Sequence, residues 1–129
     1  MESLVLFESS DLTPKITLQF SDNTILFEGY SLPANPFEFY QEVISKIIKT
    51  ISQYKLGSFA VHIELRYFNT ASAKSFYELF KKLDQHCIEN HKTFTIMWQY
   101  MKEDDDVKET VFIFKELFKN IPFIIKEIN

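Results

Sequence analysis

The apolar residues of this chain repeat at two spacings, and the spacing changes segment by segment. In KITLQF, Ile16, Leu18 and Phe20 alternate with Thr17 and Gln19. NTILFEG follows after Ser21-Asp22-Asn23, whose turn-forming side chains predict a hairpin. SFAVHIELRYF sets Phe59, Val61, Ile63, Leu65 and Tyr67 against Ala60, His62, Glu64 and Arg66. FTIMWQY does the same with Phe94, Ile96, Trp98 and Tyr100. Alternation of this kind predicts half-buried strands. PFIIKEI is expected to close the sheet, and the opening LVLFE to add an edge strand. Elsewhere the apolar residues fall three and four apart. They do so from Phe37 (Tyr40, Val43, Ile44, Ile47, Ile48, Ile51), from Ser72 (Phe76, Leu79, Phe80, Leu83, Cys87) and from Asp106 (Val107, Val111, Phe114, Leu117, Phe118). Each set forms one stripe of an amphipathic helix.

The alternation also says what covers the strands. A sheet buried on both faces reads as continuous apolar runs. These strands carry one apolar and one largely polar face. The expected fold is therefore α/β: a single mixed β-sheet with three main helices packed largely on one face. Right-handed crossovers keep helices on one face when parallel strands add in one direction. With 129 residues and neither linker nor repeat, residues 1–129 are expected to form one domain.

Composition narrows the function. The net charge is −4 and no basic run exceeds Lys81-Lys82, so the cationic footprint of a nucleic-acid binder is missing. MESLVLFESS lacks the basic start and long apolar core of a secretory signal, and no stretch approaches a membrane span of about 20 apolar residues. The lone Cys87 has no disulfide partner within the chain. A cytoplasmic protein is expected. Aromatic residues reach 16%, more ring than one small core needs, which points to rings at a partner surface.

No P-loop, GxGxxG, GxSxG or HExxH pattern occurs. His86 and His91 are five apart and do not share a helix face, so no metal and no cofactor are expected. Glu103-Asp104-Asp105-Asp106 reads first as the acidic start of a helix. Its alternative is a small metal-dependent phosphoester hydrolase built on those carboxylates.

The most informative stretch joins a strand to a helix: ELRYFNTASAKSFYELF, Glu64 to Phe80. Its corner, Asn69-Thr70-Ala71-Ser72, contains neither glycine nor proline. Asn, Thr and Ser are good helix caps because their oxygens accept the free amide hydrogens of the first turn. The same unpaired amides and partial positive charge can also hold a phosphate. Phosphorylation of Thr70 would add roughly −1.5 to −2 charges there. A partner docked on the corner would then have to desolvate that charge. Tyr67 and Phe68 point to opposite strand faces beside it, so one ring can pack while the other meets a partner.

LRYFNTASAK, Leu65 to Lys74, resembles the strand-to-helix motif of the SiaC-like regulatory phosphoproteins of bacteria. TPKI, GYSLPANPFEFY and WQYMKEDDDVKE are similar to three further segments of that family, in the same order and over nearly the whole chain. Ala71 and Met101 depart from the pattern, standing where a serine and an acid are common. The resemblance implies a fold similar to anti-sigma-factor antagonist (STAS-like) domains and a non-enzymatic role in a partner switch. It implies that Thr70 is the phosphorylated threonine. It further implies a kinase with a histidine-kinase-like ATPase fold, a PP2C-like phosphatase that reverses the modification, and an effector such as a diguanylate cyclase. Tyr67, Phe68, Asn69, Ser72 and Lys74 are the expected partner-binding residues around Thr70. A passive assembly domain, indifferent to phosphorylation, is the remaining alternative.

Overall fold

The structure, a computed structural model, describes residues 2–129. The element order is β1 (Ser3–Phe7), β2 (Lys15–Gln19), β3 (Thr24–Ser31), α1 (Pro36–Gln53), β4 (Ser58–Phe68), α2 (Thr70–Glu89), β5 (Thr93–Met101), α3 (Asp105–Leu117) and β6 (Phe123–Ile128). All six strands form one sheet in chain order. β1, β2 and β3 pair antiparallel, and β3 to β6 pair parallel, each parallel step crossing through one helix. The expected mixed sheet with three helices is the fold observed.

One contiguous apolar cluster contains Ile16, Leu18, Ile25, Phe27, Val61, Ile63, Ile96 and Trp98 from the strands. The same cluster holds Tyr40, Val43 and Ile47 of α1, Phe76, Leu79 and Phe80 of α2, and Val111 and Phe114 of α3. The alternate strand residues lie on the opposite face, so the helices cover one face of the sheet. On the opposite face Thr17, Leu26, His62, Met97 and Ile124 stand in register across five strands, with Thr17 and Leu26 buried and the face opening toward Ile124.

Asn23 completes the hairpin turn with φ 53°, a left-handed conformation that Asn tolerates. Lys55 (φ 52°) and His91 (φ 55°) do the same after α1 and α2. There Leu56 N–H donates to Ile51 O at 3.0 Å and Lys92 N–H to Cys87 O at 2.8 Å, the six-residue closure of a Schellman turn. Glycine is usual at such positions, and its place is taken by Lys and His. This explains how a chain with only 2 Gly makes tight connections.

Candidate functional site at the β4–α2 corner

β4 runs to Phe68, and α2 begins two residues later at Thr70. Asn69 is the N-cap: its Oδ1 accepts from Ser72 N–H at 2.8 Å. Thr70 therefore occupies the first helical position, with its side chain exposed. The rings before it divide, but on the faces opposite to those the alternation sets: the β3–β4 pairing skips Arg66, so Tyr67 leaves the apolar face of Phe59, Val61, Ile63 and Leu65 and Phe68 takes its place. Tyr67 is 52% exposed. Phe68 turns inward, with its ring centroid 5.7 Å from Phe76 and 5.6 Å from Trp98.

Behind the corner lies the end of β3. Its pairing with β4 slips between Gly29 and Tyr30, and Gly29 has φ +103°. The extra residue is Arg66 of β4, which has no partner on β3, and such a bulge re-aims the residues that follow. Ser31 is thereby set opposite Phe68, the last residue of β4. Its carbonyl accepts from Asn69 N–H at 3.2 Å and from the Ser72 hydroxyl at 2.8 Å. Its hydroxyl lies 2.9 Å from Ser72 Oγ and 2.6 Å from the Tyr40 hydroxyl on α1. Ser31, Tyr40 and Ser72 are all buried. Burial pushes the Tyr40 phenol well above its ordinary pKa, and the bond to Ser31 only partly offsets this.

In front of the corner is a cleft of about 280 Å³ between the starts of α2 and α3. Tyr67, Phe68, Asn69, Thr70 and Ala73 line one side, and Asp104, Asp106, Val107 and Thr110 the other. Asp104 caps α3 through a bond from Val107 N–H at 3.3 Å, and Asp105 and Asp106 occupy its first turn. The acidic run is thus the helix start that its sequence suggests, and it also faces Thr70. No Lys or Arg lines the cleft. Among the described residues no group of three or more His, Cys, Asp or Glu is placed to hold a metal ion.

The residues expected to meet a partner therefore separate. Tyr67, Phe68, Asn69 and Thr70 line the cleft, Phe68 with its ring packed inward, and exposed Lys74 lines a different groove, between α1 and α2, with Phe37 and Glu78. Ser72 is fully buried, and its hydroxyl bonds inward to Ser31. It supports the corner from within and offers no docking surface, a correction to its expected role. Ser31 and Tyr40 were not foreseen as part of the site. Both lie in GYSLPANPFEFY, one of the segments similar to the family, and the spacing within it does not say that their hydroxyls meet.

Comparison with known proteins bears on the fold and the family. No curated protein sequence matches the chain. Three solved structures share its fold. Apo-SiaC from Pseudomonas aeruginosa has a TM-score of 0.75 and 22% identity, over 98% of this chain and 99% of that one. A second structure of SiaC from Pseudomonas aeruginosa has a TM-score of 0.77 and 22% identity, over 99% and 100% of the two chains. The third is SiaC as the activator in complex with the diguanylate cyclase SiaD of Pseudomonas aeruginosa. Its TM-score is 0.77 at 22% identity, over 97% and 99%. The model of the SiaC family of regulatory phosphoproteins matches residues 7–128. The chain belongs to the SiaC family of regulatory phosphoproteins.

Proposed function

We propose that this chain, acting as one regulatory domain, is a non-enzymatic signalling switch set by reversible phosphorylation of Thr70. The observation that carries the reading is the position of Thr70: exposed, at the first turn of α2, and lining an open cleft. A hydroxyl so placed is accessible to a kinase, and the free amides of the helix start can hold the phosphate. In this reading a kinase with a histidine-kinase-like ATPase fold adds the phosphate. A PP2C-like phosphatase removes it. The two states differ in their binding to, and activation of, an effector such as a diguanylate cyclase. The family's regulatory phosphoproteins and the SiaC–SiaD complex support this reading. Among the described residues no helix is long and apolar enough to cross a membrane, which is compatible with action in the cytoplasm.

Incubation with the cognate kinase and ATP, followed by mass spectrometry, locates the phosphate. Full labelling of Thr70→Ala would remove Thr70 from the account. Partner binding is then compared for wild type, Thr70→Ala and the phosphorylated protein. Only about 1.4 kcal/mol of differential binding separates the states tenfold. Identical affinities in all three forms would leave the modification without a switch.

A further inference from the structure

The polar groups behind the corner form a chain with a defined direction. A hydroxyl has one proton to donate. Ser72 donates its proton to Ser31 O, and Ser31 Oγ donates to Ser72 Oγ. The 2.6 Å bond between Ser31 Oγ and Tyr40 must then be donated by the phenol. The order is Tyr40 O–H to Ser31 Oγ, Ser31 O–H to Ser72 Oγ, and Ser72 O–H back to Ser31 O. The elevated pKa of the phenol keeps it neutral and a donor. Every hydroxyl in the chain is satisfied, as a buried network requires.

This chain reaches the acceptor through the helix start. Ser72 receives two constraints, one on its hydroxyl from Ser31 and one on its amide from the Asn69 cap. Thr70 lies between Asn69 and Ser72. The phenol comes from α1 and the serine from β3, so two separate elements act on the turn that carries Thr70. Apolar side chains of the same volume would fill this space, but they would not fix the rotation of the turn.

We infer that Tyr40 and Ser31 are positioning residues for Thr70: through Ser72 they hold the first turn of α2 in the geometry a kinase must meet. The inference rests on the reading of Thr70 as the phosphate acceptor. Misplacement of a reacting group by about 1 Å can cost on the order of a hundredfold in rate. Loss of one hydroxyl of the chain is expected to lower the kcat of Thr70 phosphorylation about tenfold, leaving KM for the substrate protein unchanged.

The test uses Tyr40→Phe, which removes only the head donor, and Ser31→Ala, which breaks the chain in the middle. Both are phosphorylated with the cognate kinase, and amide hydrogen exchange is followed at Ser72 and Ala73. Expected are a fall in kcat at constant KM, faster exchange at both amides, and a double variant no slower than Ser31→Ala alone. Thermal unfolding identifies any variant that fails to fold. Should Ser31→Ala do so, Tyr40→Phe, which retains the ring, still decides. Wild-type kcat in Tyr40→Phe would overturn the inference, as would unchanged exchange at Ser72. Mapping the phosphate in wild-type protein tests the Thr70 reading separately.

Discussion

Thr70, in the first turn of α2, and Asp104, the N-cap of α3, line the same cleft. With Asp106 beside it, the cleft presents two carboxylates to the proposed phosphate and no cation. A helix start supplies a partial charge of only about +0.5, against two full negative charges opposite. Phosphothreonine releases its second proton near pH 6, and neighbouring carboxylates disfavour that step. Asp106→Asn is therefore expected to lower the phosphate pKa by roughly a few tenths, and less in high salt. A phosphorus NMR titration of the phosphorylated protein reads it. An unchanged pKa would mean that the phosphate swings clear of α3.

Replacement of Thr70 should leave folding intact. The side chain is exposed, and surface substitutions of this kind usually stay within about 0.5 kcal/mol. Urea denaturation of Thr70→Ala is expected to match wild type. Any loss of switching in that variant then belongs to the missing hydroxyl.

The cap beside it behaves differently. Asn69→Ala removes the acceptor for Ser72 N–H and is expected to cost about 0.5–2 kcal/mol. Asn69→Asp keeps that acceptor and should stay close to wild type in the same denaturation experiment.

Phe76 lies under the corner, with its ring centroid within 6.5 Å of those of Phe27, Tyr40, Phe68 and Trp98. Phe76→Ala is expected to cost about 3–5 kcal/mol, a large share of a typical domain's stability. A lowered unfolding midpoint, accompanied by altered Trp98 fluorescence, is the outcome to look for.

His62 lies on the sheet face opposite the helices, its Nε2 buried without a hydrogen-bond partner and 3.8 Å from Glu64 Oε1. Desolvation lowers its pKa; Glu64, Asp22 and Glu28 oppose the change, and Lys126 adds to it. A histidine depressed in the folded state favours folding above its unfolded pKa of about 6.5. That contribution is lost as pH falls from there through the folded value. Stability measured at pH 7.5 and 5.5 should differ less in His62→Gln than in wild type; an equal difference would place the titration elsewhere.

The sheet and helices were legible because half-buried strands and amphipathic helices write their burial into the sequence as periods of two and about 3.6. Phe76, Leu79, Phe80, Leu83 and Cys87 fall on the buried side of α2 as their spacing requires. The cap was legible too, because it acts within three residues. The contacts behind the corner were not. Ser31 and Ser72 are 41 positions apart and meet only through the register of two parallel strands. Tyr40 reads as one more ring in an apolar stripe, and nothing in its spacing shows where its hydroxyl points. The facing of Asp104 and Thr70 was hidden for the same reason: it depends on β5 lying beside β4 and delivering α3 next to α2.

The sheet never reverses its direction of growth, since each strand is added beside the one before it. In doubly wound α/β proteins a reversal parts two neighbouring crossovers and opens the crevice in which a nucleotide is held. A sheet that is laid down like planks in a floor forms no such crevice between wound halves. Its helix starts line up instead along one outer margin of the layer, where a second macromolecule can reach several of them at once.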